Sequence, residues 1–189
     1  MANDGEWFTY GGLLAITDAF SAQAADAVAG YEAYSFGPPK QFEPGYVVKQ
    51  LPTGMTRYVT DGAAVSVPSE NLGYYFGGLR SDSFGPIYQD PGIRNASFNA
   101  DTLSQTMIEL DMTGLQGSEV WSNLTLPTEA PGRASAEIVW VPVSEKGVLV
   151  AIGGVVDPAY ANVNGTNNQS TNAQSVSKTT LLKMLTDVL

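Results

Sequence analysis

Three glycine pairs, Gly11-Gly12, Gly77-Gly78 and Gly153-Gly154, constrain this chain more than any other feature. Each closes a short apolar or aromatic run: Trp7-Phe8-Thr9-Tyr10, Tyr74-Tyr75-Phe76 and Val148-Leu149-Val150-Ala151-Ile152. The pairs stand 66 and 76 residues apart. A strand that ends in two glycines can turn through positive φ and lets another backbone approach closely. A strand-glycine-glycine unit that recurs at long intervals points to a repeat architecture.

The surroundings of the pairs recur too. Arg57 and Arg133 each lie 20 residues before a pair. Leu51-Pro52 and Leu126-Pro127 come before the arginines, and Tyr46 and Trp121 come before those. The aromatic supplies a large apolar plate between neighbouring sheets. The Leu-Pro pair ends a strand, because proline has no N–H for the ladder. An arginine in this position can brace neighbouring units through its fork of donors. A solvated surface charge is the plainer reading of both arginines, and the matched spacing favours bracing.

Nine runs read as strands: residues 7–12, 28–36, 46–51, 58–67, 72–76, 106–112, 119–124, 136–143 and 148–156. Pro68-Ser69-Glu70-Asn71 and Ser144-Glu145-Lys146-Gly147 make hairpin turns. Residues 15–30 are alanine-rich and fit a marginal helix or an excursion between strands equally well. Residues 37–45 and 80–102 are expected to be loops. Residues 157–189 are expected to be a flexible Asn/Ser/Thr-rich tail. The apolar positions 181, 182, 185, 188 and 189 mark a short C-terminal helix of about two turns.

Composition narrows the chemistry. The 189 residues carry a net charge of −10, which disfavours binding to nucleic acid or to an anionic membrane surface. No stretch is long and apolar enough to be a transmembrane helix. The chain has no histidine and no cysteine, so imidazole catalysis, disulfides and zinc–thiolate sites lie outside its own means. No cofactor is expected. The first six residues lack the basic and apolar segments of a secretory leader. Four glycosylation sequons begin at Asn95, Asn123, Asn164 and Asn168.

The glycine pairs with their aromatic and arginine landmarks resemble the kelch repeat of β-propellers. Trp7-Phe8-Thr9-Tyr10-Gly11-Gly12, residues 62–71 and residues 138–144 are similar to fungal secreted or membrane-tethered kelch proteins. Tyr46 departs from the pattern, which has tryptophan there, and the spacings exceed the roughly 50 residues of a kelch unit. The resemblance implies an all-β, incomplete kelch propeller over residues 6–156, with blade parts 6–52, 57–124 and 133–156. That is about two blades' worth, where a closed propeller needs roughly 4–8.

The implied role is a non-catalytic scaffold with a protein or carbohydrate ligand, extracellular or at the cell surface in the intact parent. The remaining blades, or copies of the chain itself, would cover the open ends. Two alternatives stand beside it: a piece of a propeller enzyme whose active site lies elsewhere, or a truncated product with no independent function. Some kelch propellers resemble galactose oxidase, whose copper site needs the histidine and cysteine that this chain lacks. Glu70, Asp82, Glu109 and Asp111 are the candidate carboxylates for glycoside hydrolysis, with Asp111 favoured as a turn cap. Phe36, Phe42, Phe84 and Tyr88 are candidate ligand anchors, although core packing is the commoner use of such residues.

Overall fold

The computed structural model describes residues 1–12, 14–15, 30–37, 41–42, 47–57, 59–80, 88–89, 102–114, 119–128, 130–143, 147–156 and 180–182. Side chains are described for the same ranges, except residues 14–15, 30–48, 88–89 and 180–182. The fold is all-β. The first strands are β1 (Glu6–Tyr10), β2 (Leu14–Ala15), β3 (Gly30–Gly37), β4 (Gln41–Phe42) and β5 (Val47–Gln50). Next come β6 (Val59–Thr60), β7 (Ala63–Val67), β8 (Leu72–Phe76), β9 (Leu79–Arg80), β10 (Tyr88–Gln89) and β11 (Thr102–Leu103). The last are β12 (Thr106–Asp111), β13 (Val120–Thr125), β14 (Ala134–Val141), β15 (Val148–Val155) and β16 (Thr180–Leu182).

Three antiparallel sheets form in succession along the chain. In the first, β3 pairs with β1 and β5, and also with β4. In the second, the order is β7-β8-β12-β13. In the third, it is β14-β15-β16. None of these sheets is closed. The short ladder β6-β9-β11 continues β7, β8 and β12 past the second glycine pair. The hairpins β7–β8, β12–β13 and β14–β15 join consecutive strands, whereas β1–β3, β3–β5 and β8–β12 pair across the short strands that lie between them in sequence.

The hairpin between β7 and β8 turns through a 3₁₀ segment at Pro68–Glu70. Asn71 follows with φ 53° and donates its N–H to the Pro68 carbonyl at 3.2 Å. Asparagine tolerates this left-handed conformation, and proline opens the turn with its fixed φ.

The second sheet is buried on both faces, which explains its dense apolar runs. Alternation along β8 and β12 sends Tyr75, Ile108 and Leu110 to one face, where Phe8, Leu51, Val59 and Trp121 complete a cluster. It sends Tyr74, Phe76 and Met107 to the other face, against Ile138, Leu149 and Ala151 of the third sheet. Phe8, Phe76, Leu110 and Leu149 are each no more than 1% exposed, so both clusters are dry. Burial of each such side chain contributes roughly 1.5–3 kcal/mol.

Three expectations are corrected. Residues 37–45 are not all loop, because Gln41–Phe42 pairs antiparallel with Phe36–Gly37 of β3. Residues 80–102 are more than a plain loop, because Tyr88–Gln89 runs parallel to Leu14–Ala15 and Thr102–Leu103 pairs with β9. The C-terminal helix does not begin at Leu181. Thr180–Leu182 is a strand, with Leu182 opposite Leu149 and Leu181 opposite Val150. An isolated helix of about two turns is marginal, whereas the edge of β15 offers a ready ladder of N–H and C=O groups. Residues 183–189, the rest of that expected helix, and residues 157–179 of the expected tail lie outside the described residues.

Candidate functional site

The glycine pairs build the contacts between sheets. Gly12 donates its N–H to the Val59 carbonyl at 2.8 Å, joining the first sheet to the strand that opens the second. Gly78 donates to the Arg133 carbonyl at 2.8 Å, joining the second sheet to the third in the same way. φ is +73° at Gly11 and +64° at Gly77. A Cβ on Gly11 would collide with the Val59 carbonyl, and one on Gly77 with the Arg133 carbonyl. Positive φ and close backbone approach thus act at the same positions. The third pair repeats the conformation, with φ +67° and +83°, but a Cβ on Gly153 meets no described atom within 4 Å.

The two arginines are not structural equivalents. Across β7 and β8 the register places Asp61 opposite Gly78, and across β14 and β15 it places Ser135 opposite Gly154. Asp61 and Ser135 share a left-handed backbone, φ 55° and 53°. On that frame Arg133 matches Val59, and Arg57 stands two residues further upstream. The equal spacing in sequence arises because the β14–β15 turn is longer than the β7–β8 turn. Arg133 is 3% exposed and donates from Nη1 to the Gly153 carbonyl at 3.0 Å. Arg57 is half-buried and donates to the carbonyls of Leu51, at 2.5 Å, and Pro52, at 3.3 Å. Both brace backbone, at different places in the repeat.

Trp121 is buried in the cluster between the first two sheets. Its ring lies 5.7 Å from that of Tyr10, which meets Tyr75 edge-on at 4.9 Å. Tyr10 donates its hydroxyl to the Thr56 carbonyl at 2.7 Å, and the Tyr75 hydroxyl accepts the Gly62 N–H at 3.0 Å. Burial pushes the Tyr75 hydroxyl up to about 12 and raises Tyr10 further. Such phenols stay neutral at physiological pH and serve as rigid polar-tipped plates. Tyr46 lies outside the described residues. Its neighbour Val47 pairs with Ala33 as Ser122, the neighbour of Trp121, pairs with Glu109.

An ion pair also crosses this junction. Lys49 of β5 reaches Glu119, just before β13, at 2.5 Å, and the Glu119 side chain is 2% exposed.

The carboxylates divide by role. Asp111 accepts the Thr113 N–H at 2.8 Å through Oδ1, capping the turn after β12 as expected. Glu109 is half-buried, and its carboxyl is raised, first by burial, with Asp111 adding to the rise and a hydrogen bond from Tyr74 opposing it. Glu70 is exposed in the 3₁₀ turn. Asp82 and Phe84 lie outside the described residues, as do the side chains of Phe36, Phe42 and Tyr88. Among the described residues, no cluster of three or more metal-ligating side chains occurs.

Of the sequon asparagines, Asn95, Asn164 and Asn168 lie outside the described residues. Asn123 is exposed on β13, yet its amide is engaged. Nδ2 donates to the Gly54 carbonyl at 2.8 Å, and Oδ1 accepts the Thr56 N–H at 3.2 Å. The side chain thereby extends the sheet toward the segment after β5. A sequon says nothing of this second use of its asparagine.

No family model matches the chain, and no curated protein matches it. Among solved structures it is similar to that of YjhT, with 16% identity and a TM-score of 0.40. That likeness covers 65% of this chain and 26% of the YjhT chain, so the chain spans about a quarter of that protein's length. No helix among the described residues is long and apolar enough to cross a membrane.

Proposed function

We propose that the chain is part of a kelch-like β-propeller and acts as a non-catalytic interaction scaffold for a protein or carbohydrate ligand, facing the exterior in the intact protein. The observation that carries this reading is the repeated junction, in which Gly12 and Gly78 each donate to the residue that leads the next sheet. Stacking the sheets through backbone bonds and the buried clusters between them makes a rigid core, and the connecting segments are then free to vary for binding. Residues 37–45 and 80–102, which include the short strands β4 and β10, are the segments assigned to the ligand.

The test is a titration calorimetry series against soluble glucan, mannan and chitin oligosaccharides, with product analysis on the same samples. Saturable binding without turnover is the expected result. Hydrolysis or oxidation of any sugar would overturn the non-catalytic reading. Absence of binding to all three would remove carbohydrate and leave protein as the ligand class.

A further inference from the structure

Alternation along β13 puts Trp121, Asn123 and Thr125 on one face of the second sheet. Trp121 is buried there, in the cluster shared with the first sheet. Further along that face Asn123 and Thr125 are exposed, and the segment between β5 and β6 bonds to the Asn123 amide. Nδ2 faces the Gly54 carbonyl and Oδ1 faces the Thr56 N–H, so the partners fix which way the amide lies. The same segment belongs to the junction between the sheets. Met55 packs against the shared cluster, the Thr56 carbonyl accepts the Tyr10 hydroxyl, and the Thr56 and Thr106 hydroxyls lie 3.1 Å apart.

Both amide bonds of Asn123 go to residues two apart in one stretch of chain, so Oδ1 and the bonding hydrogen of Nδ2 point the same way. The hydrogen in use is therefore the one cis to Oδ1. Asn123-Leu124-Thr125 is also a sequon, the acceptor pattern for an N-linked glycan. Transfer forms a bond from Nδ2 to the anomeric carbon of a lipid-linked oligosaccharide. That carbon's bond to the lipid diphosphate breaks, and Nδ2 loses one proton. The product is a secondary amide, which is trans, so its remaining hydrogen points away from Oδ1 and the sugar takes the cis place. The opposite arrangement is disfavoured by about 100-fold or more. A sugar on Asn123 thus occupies the position that faces Gly54. We propose that Asn123 is a glycan acceptor gated by folding. The open chain accepts an N-linked glycan there, the closed junction refuses it, and a chain modified before closure cannot make the two amide bonds. The inference rests on the exterior-facing part of the proposed function, since only such a chain meets the transferase.

Cell-free synthesis of the full chain with an oligosaccharyltransferase and a lipid-linked oligosaccharide tests this. Asn95→Gln, Asn164→Gln and Asn168→Gln leave Asn123 as the only sequon asparagine. Glycopeptide mass spectrometry reads occupancy with the transferase present during synthesis and with it added after folding. Asn123 should be modified in the first case. In the second, occupancy should be roughly tenfold or more lower, since two hydrogen bonds must open first. Thr56→Pro removes the N–H that Oδ1 accepts and leaves residues 123–125 unchanged, so it should restore modification after synthesis, whether the variant folds or not. The purified modified chain should unfold at lower urea than the unmodified one.

Equal occupancy in the two orders of addition overturns the proposal. So does an Asn123 that stays bare even during synthesis, or a modified chain as stable in urea as the unmodified one. The sugar titration on the unmodified chain separates the two readings. Sugar binding with ungated transfer strikes only the gated acceptor. Gated transfer without binding to any of the three sugars strikes only the carbohydrate reading.

Discussion

Ser135 donates its backbone N–H to the carbonyl of Asp61 at 2.7 Å, and both residues hold a left-handed backbone. Each faces the second glycine of a pair, Gly154 and Gly78. A non-glycine residue in this region costs on the order of 1–2 kcal/mol. Here that cost falls where one sheet hands over to the next. The Asp61 carbonyl thereby reaches the third sheet, while the Gly78 N–H reaches the Arg133 carbonyl. Two backbone bonds, Ser135 N–H to Asp61 and Gly78 N–H to Arg133, therefore join the second and third sheets at this point.

The glycine pairs should differ in their tolerance of a side chain. Gly77→Ala forces a Cβ into the Arg133 backbone at positive φ, where the opposing atoms cannot rotate away. A loss of about 3 kcal/mol is expected, combining left-handed strain with a displaced sheet junction. Gly153→Ala carries the strain without a described neighbour, and about 1 kcal/mol is expected. Urea unfolding of both variants measures the difference. Equal losses would show that conformation alone, and not close approach, selects glycine at Gly77.

Arg133 and Arg57 should separate by burial. Arg133 is 3% exposed and holds the Gly153 carbonyl, so Arg133→Ala should cost about 2–3 kcal/mol through lost packing and an orphaned acceptor. Arg57 is half-buried and braces Leu51 and Pro52 at the end of the first sheet. Arg57→Ala should cost about 1 kcal/mol, still beyond the roughly 0.5 kcal/mol of ordinary surface changes. Thermal melts of both variants decide it, and the reverse order would refute the roles given to them.

Much of the strand layout was legible because apolar runs and glycine pairs act locally. Leu72–Phe76 occupies the run expected of it, and Thr106–Asp111 falls within its own. The equivalence of Arg57 and Arg133 was not legible, because turn length is invisible to a count along the chain. It takes the cross-strand register to show that Val59 holds the place of Arg133. The strand at Thr180–Leu182 was hidden for another reason. Its apolar spacing suits a helix, and the edge of β15 that decides the matter lies far away in sequence. Asn123 likewise reads as a sequon until Gly54 and Thr56 are seen beside it.

Lys49 and Glu119 tie the first sheet to the second. Lys49→Met takes away a cation 2.5 Å from a carboxylate whose side chain is 2% exposed. A loss of about 2 kcal/mol near neutral pH is expected, since a buried charge loses a charge-assisted partner. The double variant Lys49→Met with Glu119→Gln should lose less than Lys49→Met alone, because it buries no charge. A double-mutant cycle by urea unfolding reads the coupling. Strict additivity would mean that the pair contributes nothing as a pair.

Stability should fall in alkali through the buried phenols. Burial raises Tyr75 to about 12 from 10.0, and it raises Tyr10 and Tyr74 as well. Above pH 10 the unfolded chain releases these protons while the folded chain keeps them, so the unfolded state binds fewer protons and stability declines as pH rises. The contribution is complete below about pH 10, and for Tyr75 it is lost by about pH 12. Tyr75→Phe removes one of these groups and also the acceptor for the Gly62 N–H. It should cost about 1 kcal/mol at neutral pH and make the alkaline decline shallower. Urea unfolding of wild type and variant at a series of alkaline pH values measures both effects. A decline equally steep in the two proteins would show that Tyr75 does not contribute to it.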